Sequence, residues 1–330
     1  MNSLKNLPPN LPKTRGWKIA LAALATLLAL VGLGLALTHE PDRPLSSLTA
    51  RWAAPPSTFI EVQGLSVHLR DEGPRDDPTP IVLIHGTSSS LHTWDGWAAG
   101  LRGQRRVIRF DLPGFGLTGP NASGDYRGDS YARFVLALMD VLQVQRFVIG
   151  GNSLGGEVAW RTAAMAPERV ARLILVDASG EPFEPRSIPL GFVIARLPLL
   201  NRLGEWALPR SLVEQSVRSV YGDPAKVHEA LIDRYYELTL RAGNRHAVGQ
   251  RLQQLASGDD RARIAALKVP TLILWGGRDG LIPPETAALF HAVIAGSQLV
   301  IFPQLGHVGH EEDPAQTLVP VQAFLAAGSR

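Results

Sequence analysis

Residues 148–156 read V-I-G-G-N-S-L-G-G, and this stretch decides the fold of the chain. The run 146–150 is short, apolar and rich in β-branched residues, which is typical of a buried strand, and a helical pattern follows the serine. Ser153 stands in the frame G-x-S-x-G, with Gly151 two residues before it and Gly155 two residues after it. Small residues are needed at those positions, because a strand that turns directly into a helix brings its two arms close together. The stretch predicts a strained strand-to-helix turn with a serine at its apex.

A serine in such a turn is a candidate nucleophile. The predicted helix, at 154–166, directs its first N–H groups at the space beside the hydroxyl, where a developing oxyanion would lie. Glycine and serine patterns also arise by chance in a chain with 32 glycines, and there the serine would only cap a helix. The preceding strand favours the catalytic interpretation, because the motif requires that context.

Composition limits the classes of protein to consider. The chain has 330 residues, 45% hydrophobic and 19% charged, which is enough for one large core and argues against disorder. The formal net charge is +3, but residues 1–18 contain four basic side chains and no acid, so the remainder is close to neutral and nucleic-acid binding has no support. The absence of cysteine excludes disulfides, thiolate metal ligands and a thiol nucleophile.

The N-terminal part contains a segment without charges at 19–37, long enough to cross a bilayer. We predict a single membrane anchor there, with a cleavable signal segment and a secreted form as the alternative. The basic residues of 1–18 favour the cytoplasmic side for this flank. The body should then face the periplasm or the extracellular space.

Strands and helices alternate along the rest of the chain. A hairpin is predicted at 59–70, and short apolar runs predict buried strands at 81–84, 106–110, 147–149, 173–176, 271–275 and 299–302. Helix-length amphipathic stretches lie between them at 91–101, 129–142, 154–166, 284–295 and 314–327. Only helical patterns, such as 211–221 and 224–241, occur between 180 and 267. This order predicts a mostly parallel, doubly wound α/β sheet with a helical insertion.

A serine hydroxyl needs a histidine as general base, and the histidine needs a carboxylate that fixes its tautomer. Asp279 follows the strand 271–275, and His307 follows the strand 299–302. Both should lie at the carboxyl edge of the sheet, where ligands bind in open α/β folds. The chain order Ser153, Asp279, His307 is that of the α/β-hydrolases.

From about Phe59 onwards the chain resembles the α/β-hydrolase fold superfamily. The resemblance rests on the elbow and on three further segments, which are His85-Gly86-Thr87, the loop 111–116 (D-L-P-G-F-G), and Gly306-His307 ahead of Glu312-Asp313-Pro314. It implies that Ser153 is the nucleophile, His307 the general base and acid, and Asp279 the orienting acid. It also implies an oxyanion hole from the backbone N–H groups of Thr87 and Leu154, and a helical cap after the sixth strand.

These inferences divide the chain into six parts. They are a basic flank (1–18), a transmembrane anchor or signal segment (19–37), a linker (38–57), the first part of the core (58–179), a helical cap (180–267) and the second part of the core (268–330).

Two other residues compete for roles in the site. Asp177 also ends a strand and could be the acid, but Asp279 has the usual Gly-Gly-Arg-Asp context. His310 lies outside the Gly-His frame, and we expect it to cap or hydrogen-bond locally. Together His307 and His310 form H-x-x-H, but without a third ligand at a recognised spacing this is a weak metal motif. We expect neither a metal nor a cofactor, and we expect His85 and Asp111 to have structural roles.

A serine nucleophile disfavours the haloalkane dehalogenases and epoxide hydrolases of this fold, which use aspartate. We expect an esterase or lipase-like hydrolase that acts on a small hydrophobic ester. The Gly-Asn-Ser-x-Gly-Gly elbow is also similar to that of hydrolases that cleave a C–C bond in ring-fission products, so this activity is the alternative. A non-catalytic ligand-binding homologue is a further class, although such proteins commonly lose a triad member. The sequence does not determine the oligomeric state.

Overall fold

The computed structural model describes residues 14–255 and 260–327. Residues 1–13 of the predicted basic flank, 256–259 of the predicted cap and 328–330 at the chain end lie outside these described residues.

The centre of the protein is one sheet of eight strands in the order β1-β2-β4-β3-β5-β6-β7-β8. The strands are β1 (Thr58–Val62), β2 (Leu65–Glu72), β3 (Ile81–Ile84), β4 (Val107–Phe110), β5 (Phe147–Asn152), β6 (Val170–Val176), β7 (Thr271–Gly276) and β8 (Gln298–Phe302). β1 and β2 form the predicted hairpin, and β2 pairs antiparallel to β4. All other pairs are parallel, so the predicted doubly wound, mostly parallel sheet is confirmed.

Fourteen α-helices occur within the described residues. They are α1 (Thr14–Leu37), α2 (Leu45–Trp52), α3 (Asp95–Leu101), α4 (Gly128–Val141), α5 (Leu154–Met165), α6 (Leu190–Arg196), α7 (Pro198–Trp206), α8 (Arg210–Val220), α9 (Glu229–Thr239), α10 (Asn244–Gln253), α11 (Arg261–Ala265), α12 (Glu285–Val293), α13 (Gly309–Glu312) and α14 (Pro314–Ala326). Short 3₁₀ turns occupy Leu91–Trp94 and Pro224–Lys226.

Helices cover both faces of the sheet. Successive side chains of β3 point to opposite faces, so Val82 and Ile84 join the apolar layer that contains residues of α4 and α5. Ile81 and Leu83 join the opposite layer, which contains residues of α3 and α14. Every residue of β3, β5 and β7 is therefore buried, as the continuous apolar runs predict.

The predicted helical insertion is present between β6 and β7. It consists of α6 to α11, and the described residues between β6 and β7 contain no strand. Because it follows the sixth strand, it stands above the carboxyl edge of the parallel strands. We call α6 to α11 the cap.

Residues 38–57 differ from the linker that we predicted. They contain α2, whose Leu45, Leu48 and Trp52 lie on one face at helical spacing and pack with Leu117 and Leu238. Beside this face, Arg51 forms ion pairs with Asp233 at 2.9 Å and Glu237 at 2.7 Å. The segment is thus packed against the body and against the cap helix α9.

α1 is a separate apolar helix at the N-terminus. The stretch Gly16–Gly34 has a mean hydropathy of 1.9, and none of it is buried. By length and composition α1 could cross a membrane. No other helix in residues 14–255 and 260–327 meets the same criteria.

Candidate active site

The predicted strand-to-helix turn is present at the end of β5. β5 ends at Asn152 and α5 begins at Leu154, so Ser153 is the single residue between them. Its backbone has φ +56° and ψ −117°, a conformation that is strained for a residue with a side chain. Such strain persists only where the surroundings enforce it, and it is concentrated at functional sites.

The glycines around Ser153 explain why the turn needs them. A Cβ on Gly151 would overlap the carbonyl of Gly155, and a Cβ on Gly155 would overlap the carbonyl of Ile84. The helix α5 therefore starts in direct contact with the ends of β3 and β5. This close approach is the steric reason for the G-x-S-x-G frame.

His307 and Asp279 are joined by a buried hydrogen bond. The distance from His307 Nδ1 to Asp279 Oδ2 is 2.7 Å. The other carboxylate oxygen, Asp279 Oδ1, accepts the backbone N–H groups of Leu281 at 2.8 Å and Ile282 at 2.9 Å. With its orientation fixed in this way, Asp279 favours the tautomer of His307 that carries its proton on Nδ1, so Nε2 is the proton acceptor.

The second acidic candidate, Asp177, has a different role. Its Oδ1 accepts the N–H of Gly276 at 2.8 Å, and its side chain is hydrogen-bonded to Asp279. Burial, together with the nearby Asp279 carboxylate, raises the pKa of Asp177 well above its ordinary value, because both disfavour its charged form. Within the described residues Asp279, not Asp177, forms the hydrogen bond to His307.

Asp177, Asp279 and His307 each place one possible ligand atom within 4.8 Å of the others. The hydrogen bonds among these groups and the backbone account for the cluster.

Ser153 and His307 line one cavity of about 650 Å³ between the sheet edge and the cap. Gly86, Thr87 and Asn152 also line this cavity. Within residues 14–255 and 260–327 no hydrogen bond joins Ser153 Oγ to His307. Both side chains therefore border one cavity without a direct hydrogen bond, and His307 is oriented there by its bond to Asp279.

The loop with Thr87 lies directly against the turn. A Cβ on Gly86 would lie 3.2 Å from the Ser153 Cβ and 3.0 Å from Asn152 Oδ1. The backbone N–H groups of Thr87 and Leu154 have no acceptor among the described residues. Two unpaired N–H groups beside a serine, one of them at a helix N-terminus, are suited to binding an oxyanion.

A sequence model of the α/β hydrolase fold matches residues 79–314. The chain belongs to the α/β-hydrolase fold family.

Three relatives illustrate the range of similar proteins, and two of them have named activities. An uncharacterized protein of Mycobacterium tuberculosis is 33% identical over 86% of this chain and 85% of its own length. The 2-hydroxymuconate semialdehyde hydrolase of a Pseudomonas species is 29% identical over 81% of this chain and 93% of its own. Lipase 1 of Psychrobacter immobilis is 28% identical over 74% and 76% of the two chains.

Solved structures agree with this α/β-hydrolase assignment. A meta-cleavage product hydrolase from Pseudomonas fluorescens superposes with a TM-score of 0.71 at 25% identity, over 82% of this chain and 98% of that one. A membrane phospholipase A superposes with a TM-score of 0.68 at 25% identity, over 94% of this chain and 97% of that one. Both C–C bond hydrolases and lipases thus occur among the similar proteins, which supports a hydrolase and a small-molecule substrate.

Two residues of this α/β-hydrolase site were not identified from the sequence. Asn152 Nδ2 donates to the carbonyl of His307 at 2.9 Å and to that of Val176 at 3.2 Å. Glu312 accepts the N–H groups of Gly222 at 2.8 Å and Gly306 at 2.9 Å, and also that of Asp223 at 2.9 Å. The sequence signal for these two residues was their position alone, Asn152 within the elbow and Glu312 in the histidine loop.

Glu312 joins the cap to the loop that holds His307. The peptides that it binds on the cap side directly follow α8, and the N–H of His307 itself donates to the carbonyl of Val220 at 2.8 Å. The position of His307 is therefore set jointly by the core and the cap.

Glu312→Ala should lower both stability and turnover. Three backbone N–H groups lose their acceptor, so we expect a loss of about 2–4 kcal/mol in the free energy of unfolding, since each unsatisfied buried group costs about 1–3 kcal/mol and part of the loss is recovered by water. The kcat should fall more than KM rises, because His307 loses its fixed position. Urea unfolding and ester kinetics measure the two effects, with the exposed Glu168→Ala as control. Equal behaviour of the two variants would contradict this role.

The other polar residues near the site have structural roles. Leu112 donates its N–H to His85 Nε2 at 3.0 Å, and Asp111 accepts the N–H of Leu91 at 2.7 Å, as predicted for loop-fixing residues. His310 differs from the prediction of a local hydrogen bond. Its Nε2 lies 3.0 Å from Thr93 Oγ1, 217 residues away in sequence, and burial lowers its pKa to about 3.

Proposed function

We propose that this protein is a serine hydrolase that cleaves carboxylic esters, in the manner of an esterase or lipase. The observation that carries the proposal is the buried His307–Asp279 hydrogen bond, which orients His307 in the same cavity that the strained Ser153 lines. A histidine held by a carboxylate and facing a serine is the constellation of nucleophilic acyl transfer.

The reaction proceeds in two halves. Ser153 Oγ attacks the ester carbonyl carbon while His307 Nε2 takes the hydroxyl proton. The carbonyl oxygen becomes an oxyanion and accepts the N–H groups of Thr87 and Leu154. His307 then gives its proton to the leaving alkoxide, which departs as the alcohol and leaves an acyl ester on Ser153. In the second half His307 activates a water molecule, which releases the acid and restores the serine.

The cavity supports a hydrophobic substrate. Cap side chains that line it are mainly apolar, and they include Phe192, Ile194, Leu200 and Leu203. Among the described residues that line it, Arg245 is the one Lys or Arg, and its guanidinium is already bound by Asp42 at 2.7 Å and by the Glu40 carbonyl at 2.8 Å. An uncharged ester fits this lining better than an anion.

C–C bond hydrolysis is the second candidate. The Gly-Asn-Ser-x-Gly-Gly elbow and the similarity to 2-hydroxymuconate semialdehyde hydrolase favour it. Ring-fission products carry a carboxylate, and a cavity of this kind without a free cation provides little to bind that group. We therefore place ester hydrolysis first.

The membrane helix belongs to the same proposal. α1 would anchor the enzyme, and the basic Lys18 at its start favours the cytoplasmic side for the N-terminus. The catalytic body would lie in the periplasmic or extracellular space. A reporter that is active only outside the cytoplasm, fused after Ala50, should then be active, and a silent reporter would refute this orientation.

The substrate class is tested by comparing two chemistries on the full chain in detergent. p-Nitrophenyl esters of increasing acyl length are compared with a vinylogous diketone ring-fission product, in wild type and in Ser153→Ala. We expect kcat/KM for a medium-chain ester to exceed that for the diketone, and both to require Ser153. Preference for the diketone would establish the second candidate. Activity on neither substrate would count against a catalytic role of this kind.

A further inference from the structure

The first two helices of the cap expose an unusual amount of apolar surface. Six large apolar side chains on α6, α7 and the single residue between them are between 39% and 54% exposed, namely Leu190, Val193, Leu197, Leu200, Leu203 and Trp206. We call these six residues the cap face. Single exposed leucines are normal, but six large apolar side chains at helical spacing within 17 residues are a concentration of the kind that marks binding surfaces.

The cap face begins where the apolar helix α1 ends. Only Thr38 separates α1 from His39, whose ring stacks on Trp206 with the ring centroids 3.9 Å apart. His39 Nδ1 is also 2.9 Å from the Trp206 carbonyl oxygen, and that oxygen accepts the N–H of Glu40 at 3.2 Å. Two residues of chain reach no further than about 7 Å. If α1 spans a bilayer, Trp206 and the end of α7 must lie at its surface.

The cavity reaches the same place. Thr38, Leu200 and Leu203 line the cavity that contains Ser153, and the two leucines are also part of the exposed cap face. The cavity therefore extends from Ser153 to the end of α1 and to two residues of the cap face.

The composition of this surface fits the boundary between acyl chains and headgroups. Leucines and a tryptophan occupy the cap face, and tryptophan is enriched at that depth in membrane proteins. Arg196 and Arg202, on α6 and α7, are exposed and carry the charge that anionic headgroups attract. These features favour a lipid surface over a second protein.

We propose that the cap face rests in the outer boundary of the leaflet from which α1 emerges, so that the cavity takes amphipathic esters directly from that leaflet. The chemistry at Ser153 rests on the proposed function, but the docking of the cap face does not. The occupant of this surface is the bilayer itself.

The experiment uses the absence of cysteine in the chain. Single cysteines replace Leu197 on the cap face, Leu27 in α1 and Val319 on α14, which is 64% exposed, and each is labelled with an environment-sensitive fluorophore. The full chain is reconstituted into vesicles of phosphatidylcholine and phosphatidylglycerol that contain nitroxide-labelled lipid. We expect lipid nitroxides to quench the Leu197→Cys and Leu27→Cys probes several-fold more than the Val319→Cys probe.

Other outcomes would overturn the proposal. Quenching at Leu27→Cys with Leu197→Cys equal to Val319→Cys would show an anchored protein without docking of the cap. No quenching at Leu27→Cys would show that α1 is not in the membrane. A Leu197→Cys probe shielded from a water-soluble quencher, yet not quenched by lipid, would show that a second copy of the chain covers the cap face.

Kinetics provide a second readout. Val193 and Leu197 belong to the cap face but do not line the cavity. Val193→Asp with Leu197→Asp should lower kcat/KM for an ester presented in vesicles by roughly fivefold or more, since charge disfavours the boundary, and should leave a short soluble ester unchanged. Val319→Asp should change neither. Equal loss on both esters would overturn the docking role, whereas wild type inactive on both esters would refute the proposed function and leave the quenching result to decide on docking.

Discussion

Ser153→Ala should lower kcat/KM for a p-nitrophenyl ester by at least about 10³-fold, because removal of the nucleophile leaves only binding and oxyanion stabilisation to accelerate the reaction. The fold should persist, since the change removes one oxygen atom that forms no side-chain hydrogen bond within the described residues. Initial rates and the urea midpoint of the purified variant measure both properties.

A serine in the same cavity provides the matched control. Ser89 also lines the cavity, and its Oγ is only 3.4 Å from the Tyr235 hydroxyl, so Ser89→Ala should change kcat/KM by a few-fold at most. The assignment of Ser153 would fail if the two variants showed similar activities.

The second large effect is expected at the acid. Asp279→Asn should lower kcat by about 10⁴-fold, because an amide that donates a hydrogen bond to Nδ1 stabilises the wrong tautomer of His307. Asp177→Asn should lower kcat by less than about tenfold, because burial and the Asp279 carboxylate already disfavour the charged form of Asp177, and because Asp177 forms no hydrogen bond to His307 within the described residues. Steady-state kinetics of both variants decide the matter, and the reverse order of effects would make Asp177 the functional acid.

The pH dependence of stability provides a further test of the raised pKa of Asp177. The neutral form of Asp177 stabilises the folded protein fully below the pKa of an unfolded aspartate, and this stabilisation is lost as the pH rises through the raised pKa in the fold. The Asp177→Asn variant has no such group. The free energy of unfolding of wild type relative to Asp177→Asn should therefore decrease with rising pH.

Much of the fold could be predicted from local pattern. Buried parallel strands appear as continuous apolar runs, and polar residues that follow such runs must lie at one edge of the sheet. This geometry alone brings the loops of Ser153, Asp279 and His307 together, and the structure places His307 in hydrogen-bonding contact with Asp279.

Features that depend on distant partners could not be predicted. α2 is only eight residues long and lies in a proline-rich segment, so its apolar face is a weak signal in the sequence. The ion-pair partner of Arg51, Asp233, lies 182 residues later in the sequence. Glu312 satisfies backbone N–H groups of the cap, and backbone groups leave no trace in the sequence. The hydrogen-bond partner of His310, Thr93, likewise becomes a neighbour only in the folded chain, because the two residues are 217 positions apart in the sequence.

The central claim is that Ser153 is an activated nucleophile. Treating the full chain with a fluorophosphonate probe and locating the adduct by peptide mass spectrometry tests this most directly, since the probe reacts with serines that a neighbouring base activates. We predict one adduct, on the peptide that contains Ser153, which disappears in Ser153→Ala and is strongly reduced in Asp279→Asn. Absence of an adduct on wild type, or an adduct on a different residue, would contradict the account.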